Sequence, residues 1–331
     1  MVADGPDRPA GEASGGRAGW RTPLLFRRRF LRACTAIFAA ASAGKTGSGS
    51  MARAARTARP VVPRNGDGRL KWLAFYGQTA DETLLSAYDV AVLDPMFQGD
   101  LARVGTDGTR LCSYLSLGEI RRADPLFERL DTACLLEENA AWPGTWRVDV
   151  RQAAWKTLVL SEMLPAIAAR GFTGLMLDTL DTPPWLEQID PVANRGMRQA
   201  SIDLVRSIRV CFPDMLIIVN RGYAILPDIL PVVDAVLAES LLTTPDPGGG
   251  GFHWNTPGDV VAQMSLLAPA RAFTPPLPIL SLDYWDLTDA AGVREIYRRQ
   301  RALGHLPYVA TPLLGEIVPE PTGCEGSRGG N

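Results

Sequence analysis

Residues 171–181 read Gly171-Phe172-Thr173-Gly174-Leu175-Met176-Leu177-Asp178-Thr179-Leu180-Asp181. An apolar run passes into a carboxylate with no turn residue between them, and the stretch 174–180 reads as a strand. Runs of five to seven apolar residues without polar alternation mark parallel strands buried on both faces. Comparable runs occur on either side of it, at 72–76, 90–94, 111–117, 216–220, 235–241, 279–284 and 307–311. Between several of them lie helical stripes with a 3.6-residue period. Leu158, Met163, Leu164 and Ile167 form one, and Ile202, Val205 and Ile208 another; 260–267 and 291–302 also fit. Eight strands alternating with helices over about 250 residues predict α/β architecture as a single (β/α)8 TIM barrel over 70–314. A doubly wound open sheet fits less well, because no Gly-rich phosphate loop follows the first strand, where Gly77-Gln78-Thr79 stands alone.

Three regions depart from the alternation. Residues 120–150 are a long excursion without a clean strand, followed by a helix over 152–170. Residues 243–255, with four consecutive glycines at 248–251, read as a flexible loop after the sixth strand. The segment 315–331 is rich in Pro and Gly and is expected to be a disordered tail.

The 331 residues carry a net charge of −2, which hides a split. Residues 1–60 hold eleven basic and three acidic side chains, +8, leaving −10 for the rest. So acidic a body is poorly suited to binding nucleic acid and better suited to neutral or cationic partners. Arg27-Arg28-Arg29-Phe30-Leu31-Arg32 precedes a small-residue apolar stretch that ends in Ala41-Ser42-Ala43. Residues 1–43 therefore read as a twin-arginine-like export signal and 44–69 as a disordered linker. The expected location is periplasmic or extracellular, or cytoplasmic if translation starts at Met51. No apolar run has the roughly 18 residues of a spanning helix, so stable membrane insertion is not expected. Only three lysines are present, Lys45, Lys71 and Lys156, and none is placed at a strand end for Schiff-base chemistry. Two histidines and five scattered cysteines form no metal-ligand spacing, so neither metal nor cofactor is expected. Cys112, on a strand, and Cys211, at a helix end, read as buried thiols. The body is expected to act as a monomer.

In a barrel of this kind chemistry belongs at the C-terminal ends of the strands. Acidic and polar residues collect there: Asp94, Glu119, Asp178, Asp181, Asn220, Arg221, Glu239, Asp283 and Tyr284. Asp178 ends an apolar run, and Glu239 lies between Val236-Leu237-Ala238 and Ser240-Leu241-Leu242. A buried carboxylate must be hydrogen-bonded or functional. Taken singly, each reads as a structural acid bonded to Arg221 or to backbone amides; two on near-neighbouring strands point to catalysis. A carboxylate pair without metal ligands or an activated Ser or Cys suits glycosidic bond cleavage, one acid protonating the leaving oxygen while the other attacks or activates water. Tyr76, Trp185, Trp254, Tyr284 and Trp285 are available near the mouth for stacking on sugars. Two other readings share these features: a non-catalytic carbohydrate-binding barrel that handles exopolysaccharide, and a metal-assisted hydrolase using the aspartates.

Tyr76, Tyr88-Asp89, Tyr114-Leu115-Ser116-Leu117-Gly118-Glu119, the 171–181 stretch, Asn220-Arg221-Gly222 and Glu239-Ser240 occur in an order that resembles glycoside hydrolase family 114, the endo-α-1,4-polygalactosaminidase barrels. The resemblance spans about residues 70–314. It implies a retaining endo-hydrolase of α-1,4-linked, galactosamine-rich polysaccharide, a cationic amino-sugar polymer, with Asp178 as nucleophile and Glu239 as general acid/base. By the same resemblance Asp89, Glu119, Asp181, Asn220 and Arg221 would shape the subsites or hold the carboxylates; charge adds Asp94 and Asp283, with Glu119 and Asp181, as positions for a cationic sugar chain, and Tyr76 and Tyr284 would contact its rings. Thr173 stands where the family often has Asp.

Overall fold

Each of the eight apolar runs forms a parallel strand in the computed structural model, which describes residues 70–246 and 250–322. The strands in chain order are β1 (Trp72–Phe75), β2 (Val90–Leu93), β3 (Arg110–Ser116), β4 (Glu119–Arg121), β5 (Leu135–Glu138), β6 (Thr145–Val148), β7 (Gly174–Asp178), β8 (Leu216–Asn220), β9 (Ala235–Glu239), β10 (Thr243–Pro245), β11 (Phe252–Trp254), β12 (Ile279–Tyr284) and β13 (Leu306–Ala310). Eight of them form one sheet in the order β1-β2-β3-β7-β8-β9-β12-β13. At the seam the Trp72 indole N–H donates to the Leu306 carbonyl (2.7 Å), and the Tyr76 N–H to that of Leu314 (2.6 Å). The sheet is thus a nearly closed (β/α)8 TIM barrel.

The helices are α1 (Glu82–Ser86), α2 (Leu101–Gly105), α3 (Ala153–Leu158), α4 (Leu164–Ala169), α5 (Thr182–Ile189), α6 (Met197–Cys211), α7 (Leu226–Ile229), α8 (Pro257–Ala272) and α9 (Ala290–Ala302). On α6 the buried residues Ile202, Leu204, Val205 and Ile208 form one stripe, facing the barrel as an amphipathic helix requires. Capping follows the sequence: Thr256 accepts the Asp259 N–H at the start of α8, and Asp289 that of Gly292 at the start of α9. Among the described residues no helix is long and apolar enough to cross a membrane.

The irregular regions are more ordered than their sequences suggest. The 120–150 excursion contains a three-stranded antiparallel sheet, β4-β6-β5. Its strands have three or four residues, too few for alternation to show. The Gly-rich loop is framed by an antiparallel pair, β10 with β11. The helix over 152–170 is α3 and α4 joined by a π turn, Val159–Met163. Pro165, at the start of α4, has no N–H for the carbonyl four residues back. Cys112 is buried, which pushes its thiol up to about 12, whereas Cys211 is exposed at the end of α6. At the C-terminal end, Val318 accepts the Tyr88 hydroxyl (3.2 Å) and gives its own N–H to Tyr308 (3.1 Å), so 315–322 lies against the barrel. Residues 323–331, like the export-signal and linker expectations for 1–69, lie outside the described residues.

Gly174, which opens β7, is packed against both neighbouring strands. A Cβ there would stand 2.5 Å from the Cys112 sulfur and 2.9 Å from the Leu216 carbonyl oxygen. Gly174→Ala is expected to destabilise the protein by about 1–3 kcal/mol. Denaturant unfolding reads this directly, and an unshifted midpoint would contradict this packing.

Candidate active site

The register of the parallel strands decides which side chains enter the barrel. Paired residues on adjacent strands share a face, and faces alternate along each strand. Ser116 pairs with Asp178, Tyr114 with Met176, Met176 with Ile218, Asn220 with Leu237, and Glu239 with Leu282. Continuing that alternation puts Tyr114, Asp178, Asn220, Glu239 and Tyr284 on one inner face at the C-terminal mouth. Tyr76 and Asp94, one residue beyond β1 and β2, have the same parity.

At the centre is one amide group. Asn220 Nδ2 donates to Asp178 Oδ1 and to Glu239 Oε2, both at 2.9 Å. Bonds of that length from one nitrogen keep the two oxygens within about 6 Å, and ordinary amide geometry brings them to about 5 Å. Tyr114 donates its hydroxyl to Asp178 Oδ2 (2.9 Å), and Tyr284 donates to Glu239 Oε1 (2.6 Å). Burial, and then the charge of Glu239, raise the Asp178 pKa above the usual carboxylate range; the Thr179, Asn220 and Tyr114 donors oppose this. Tyr76 packs edge-on against Tyr114, with centroids 5.2 Å apart, and burial pushes its hydroxyl well above the ordinary range.

The chain turns sharply after each of the three central strand ends. Thr179, Arg221 and Ser240 follow Asp178, Asn220 and Glu239, and their φ values are 59°, 54° and 53°. Left-handed backbone is unfavourable for residues with a Cβ and persists where surrounding bonds over-determine it. Thr179 is held by its own hydroxyl, which accepts the Gly118 N–H (2.7 Å) and donates to the Asp178 carbonyl (2.7 Å). Gly118 has to be glycine, since a Cβ would stand 2.5 Å from the Thr179 carbonyl oxygen.

Two further acids stand beside the pair. Glu119, at the start of β4, is buried and accepts Asn139 Nδ2 at both oxygens (3.0 and 3.1 Å) and the Thr182 hydroxyl (3.1 Å). Burial raises its pKa, while those donors and Arg147 pull it back. Asp181 pairs with Arg221 at 3.6 Å; burial raises it, Arg221 lowers it, and Asp178 raises it further. Asp94 accepts the Met96 N–H (2.7 Å) and faces Arg121 at 3.9 Å.

The sequence profile of glycoside-hydrolase family GH114 matches residues 50–324. The chain belongs to that family. Among relatives of this GH114 glycoside hydrolase, an uncharacterised protein of Deinococcus radiodurans is 26% identical over 263 residues, 74% of this chain and 80% of its own. The glycoside hydrolase domain of PelA from Pseudomonas aeruginosa superposes with a TM-score of 0.68 at 24% identity, over 76% of this chain and 98% of that one. Ega3 of Aspergillus fumigatus, crystallised with galactosamine, superposes at 0.60 with 14% identity, over 79% of this chain and 97% of its own. At those identities the two structures speak for the barrel fold.

Two residues expected at the GH114 mouth are elsewhere. Asp89 precedes β2, so strand direction puts it at the opposite, N-terminal end, where its carboxylate accepts the Lys71 N–H (2.6 Å). Asp283 neighbours Tyr284 on β12, so it faces outward when Tyr284 faces in, and it is fully buried behind the strand. Conversely, Tyr114, Asn139, Thr179 and Thr182 touch the site acids, and none of the four is among the site residues expected from the sequence. Tyr114 was readable, being four residues before the strand-end glycine of its motif and in phase with Ser116. Asn139 and Thr182 come from a hairpin and a helix whose placement no local pattern reveals. Among the described residues no cluster of His, Cys, Asp and Glu has the makings of a metal site.

Tyr114 helps keep Asp178 ionised against its burial. Tyr114→Phe removes that donor, so the Asp178 pKa rises further and the acid limb of the kcat/KM pH profile moves to higher pH. An unmoved limb would show that the hydroxyl does not bear on Asp178.

Proposed function

We propose that this GH114 glycoside hydrolase is a retaining endo-enzyme acting on an α-1,4-linked, galactosamine-rich polysaccharide. The observation that carries the reading is the Asn220 bridge. By ordinary amide geometry it sets Asp178 Oδ1 and Glu239 Oε2 about 5 Å apart, which supports the spacing of retaining glycosidases over the roughly 6.5–9.5 Å that leaves room for water in inverting ones. In the first step Glu239 gives its proton to the glycosidic oxygen as Asp178 attacks the anomeric carbon. The C–O bond to the leaving chain breaks and a glycosyl ester on Asp178 forms. In the second step Glu239 takes a proton from water, whose oxygen displaces the Asp178 carboxylate. At about 5 Å and an effective dielectric near 20, two carboxylate charges repel by about 3 kcal/mol. The free pair therefore retains a proton to higher pH than an isolated acid would, which is the state the first step needs. The Thr179, Asn220 and Tyr114 donors on Asp178 oppose the rise that its burial imposes.

The substrate class rests on charge and on the family. The body carries −10, and Glu119 and Asp181 stand beside the catalytic pair, a setting that attracts a polymer bearing ammonium groups. The β4–β6 sheet follows β3 and the β10–β11 pair follows β9, so excursions flank the strands that carry the site; this supports cleavage within a chain. The Arg-rich stretch at 27–32 and the Ala-Ser-Ala at 41–43 support export to where such polysaccharides occur.

Release of reducing ends from galactosamine-rich, N-acetylgalactosamine-rich and glucosamine polymers tests the reading. The first should be cut fastest, and Asp178→Asn and Glu239→Gln should each lower turnover by about 10³-fold or more with the fold retained. Proton NMR of the first product should show the α-anomer, and initial β-anomer would replace retention with inversion. Near-native turnover in either variant would dismiss the catalytic pair.

A further inference from the structure

The segment that leaves Glu239 is held from behind by a residue that touches neither catalytic carboxylate. Asp283 Oδ1 accepts the backbone N–H groups of Leu242 (2.8 Å) and Thr243 (2.9 Å). Its Oδ2 accepts Gln300 Nε2 from α9. Gln300 Oε1 pairs with His305 Nδ1 (2.7 Å), and His305 Nε2 pairs with Arg271 Nη2 (2.8 Å). Arginine can only donate and an amide oxygen can only accept, so every proton in this chain points the same way. Arg271 donates to His305, His305 to Gln300, and Gln300 to Asp283. His305 is thereby fixed as the neutral Nδ1–H tautomer, in keeping with burial and Arg271, which push it down to about 4. A run of donors ending with two backbone amides calls for an acceptor-only terminus, an ionised carboxylate.

That charge is kept at a cost. Burial pushes Asp283 up to about 6, above its value in an unfolded chain. The unfolded state then releases this proton at lower pH than the folded state, so the group weakens the fold as pH rises from about 4 through 6. What the carboxylate holds is the segment that follows the left-handed step next to the site. Ser240, directly after Glu239, has φ 53°, and its own buried hydroxyl finds no partner among the described residues. Its conformation is imposed from outside: the Ser240 N–H donates to the Leu282 carbonyl (2.7 Å), and Asn255 Nδ2 donates to the Ser240 and Leu241 carbonyls (2.8 and 3.0 Å). Asp283 takes the amides of Leu242 and Thr243.

We propose that Asp283 is a positioning residue for Glu239: through the backbone of 240–243 it fixes the left-handed step at Ser240 and hence the place of the Glu239 carboxyl against the leaving oxygen. This rests on Glu239 being the general acid/base.

Asp283→Asn tests it. The neutral amide oxygen accepts the two backbone N–H groups more weakly than the carboxylate does and so loosens the 240–243 backbone, while Gln300 can turn its amide over and the remaining mismatch falls at Arg271, which is exposed. For the polymer, kcat/KM is expected to fall about tenfold or more, the scale set by misplacing a catalytic group. For an aryl glycoside of the same sugar with an acidic phenol, whose departure needs little protonation, the fall should stay within about threefold. The Tm at pH 8 should be unchanged or higher, whereas a purely structural acid would lower it. Glu239→Gln, measured in parallel, must show the same leaving-group dependence; if it does not, the acid/base reading itself fails. If Glu239→Gln shows the dependence and Asp283→Asn does not, or Asp283→Asn loses equally on both substrates, the positioning role is overturned. Gln300→Met withdraws one donor and leaves the carboxylate; it should give the same signature at smaller size, and it decides the matter should Asp283→Asn fail to fold.

Discussion

Asn220 gives one nitrogen to two carboxylates, and the mouth of the barrel is arranged around that shared donor. Without it, Asp178 and Glu239 would be two like charges in a poorly solvated space, and the simplest relief would be to move apart. The bridge fixes their separation, and each acid is steadied at its far oxygen by its own tyrosine, Tyr114 or Tyr284. Both acids therefore keep defined positions although their charges repel, which is what the two roles proposed for them require.

Holding three functional groups on three adjacent strands constrains the backbone just beyond them. The chain must leave β7, β8 and β9 at once to free the mouth, and it does so by a left-handed residue each time. The three steps are held by different means. Thr179 uses its own hydroxyl and the close approach of Gly118; Arg221 sits between the Leu237 carbonyl, 2.9 Å from its N–H, and the Asp181 carboxylate; Ser240 depends on neighbours. The acids around the site divide accordingly. Some face the mouth, and others, such as Asp283, shape the backbone that carries the ones that do.

Much of this was legible in the chain. The eight strands appeared where continuous apolar runs placed them, because a strand buried on both faces leaves no room for polar alternation. Asp178 and Glu239 were legible for the same reason, as carboxylates set in apolar strands. Asp89 and Asp283 were misplaced for reasons that strand geometry makes plain. A residue before a parallel strand sits at the end opposite the mouth, and two successive residues cannot both point inward, so Asp283 and Tyr284 could not both line it. The small sheet in 120–150 was hidden because three-residue strands carry no period.

The number, order and direction of the barrel strands, the two carboxylates set in apolar runs and the family motifs could be read from the chain alone, since these depend on patterns within a few residues of each other. That Asn220 joins the two acids, that Asn139 and Thr182 reach Glu119, and that Asp283 bonds backbone amides behind its strand became visible only in the folded chain. Those relations join residues 19 to 63 positions apart, and they exist only once closure of the barrel sets the register between strands.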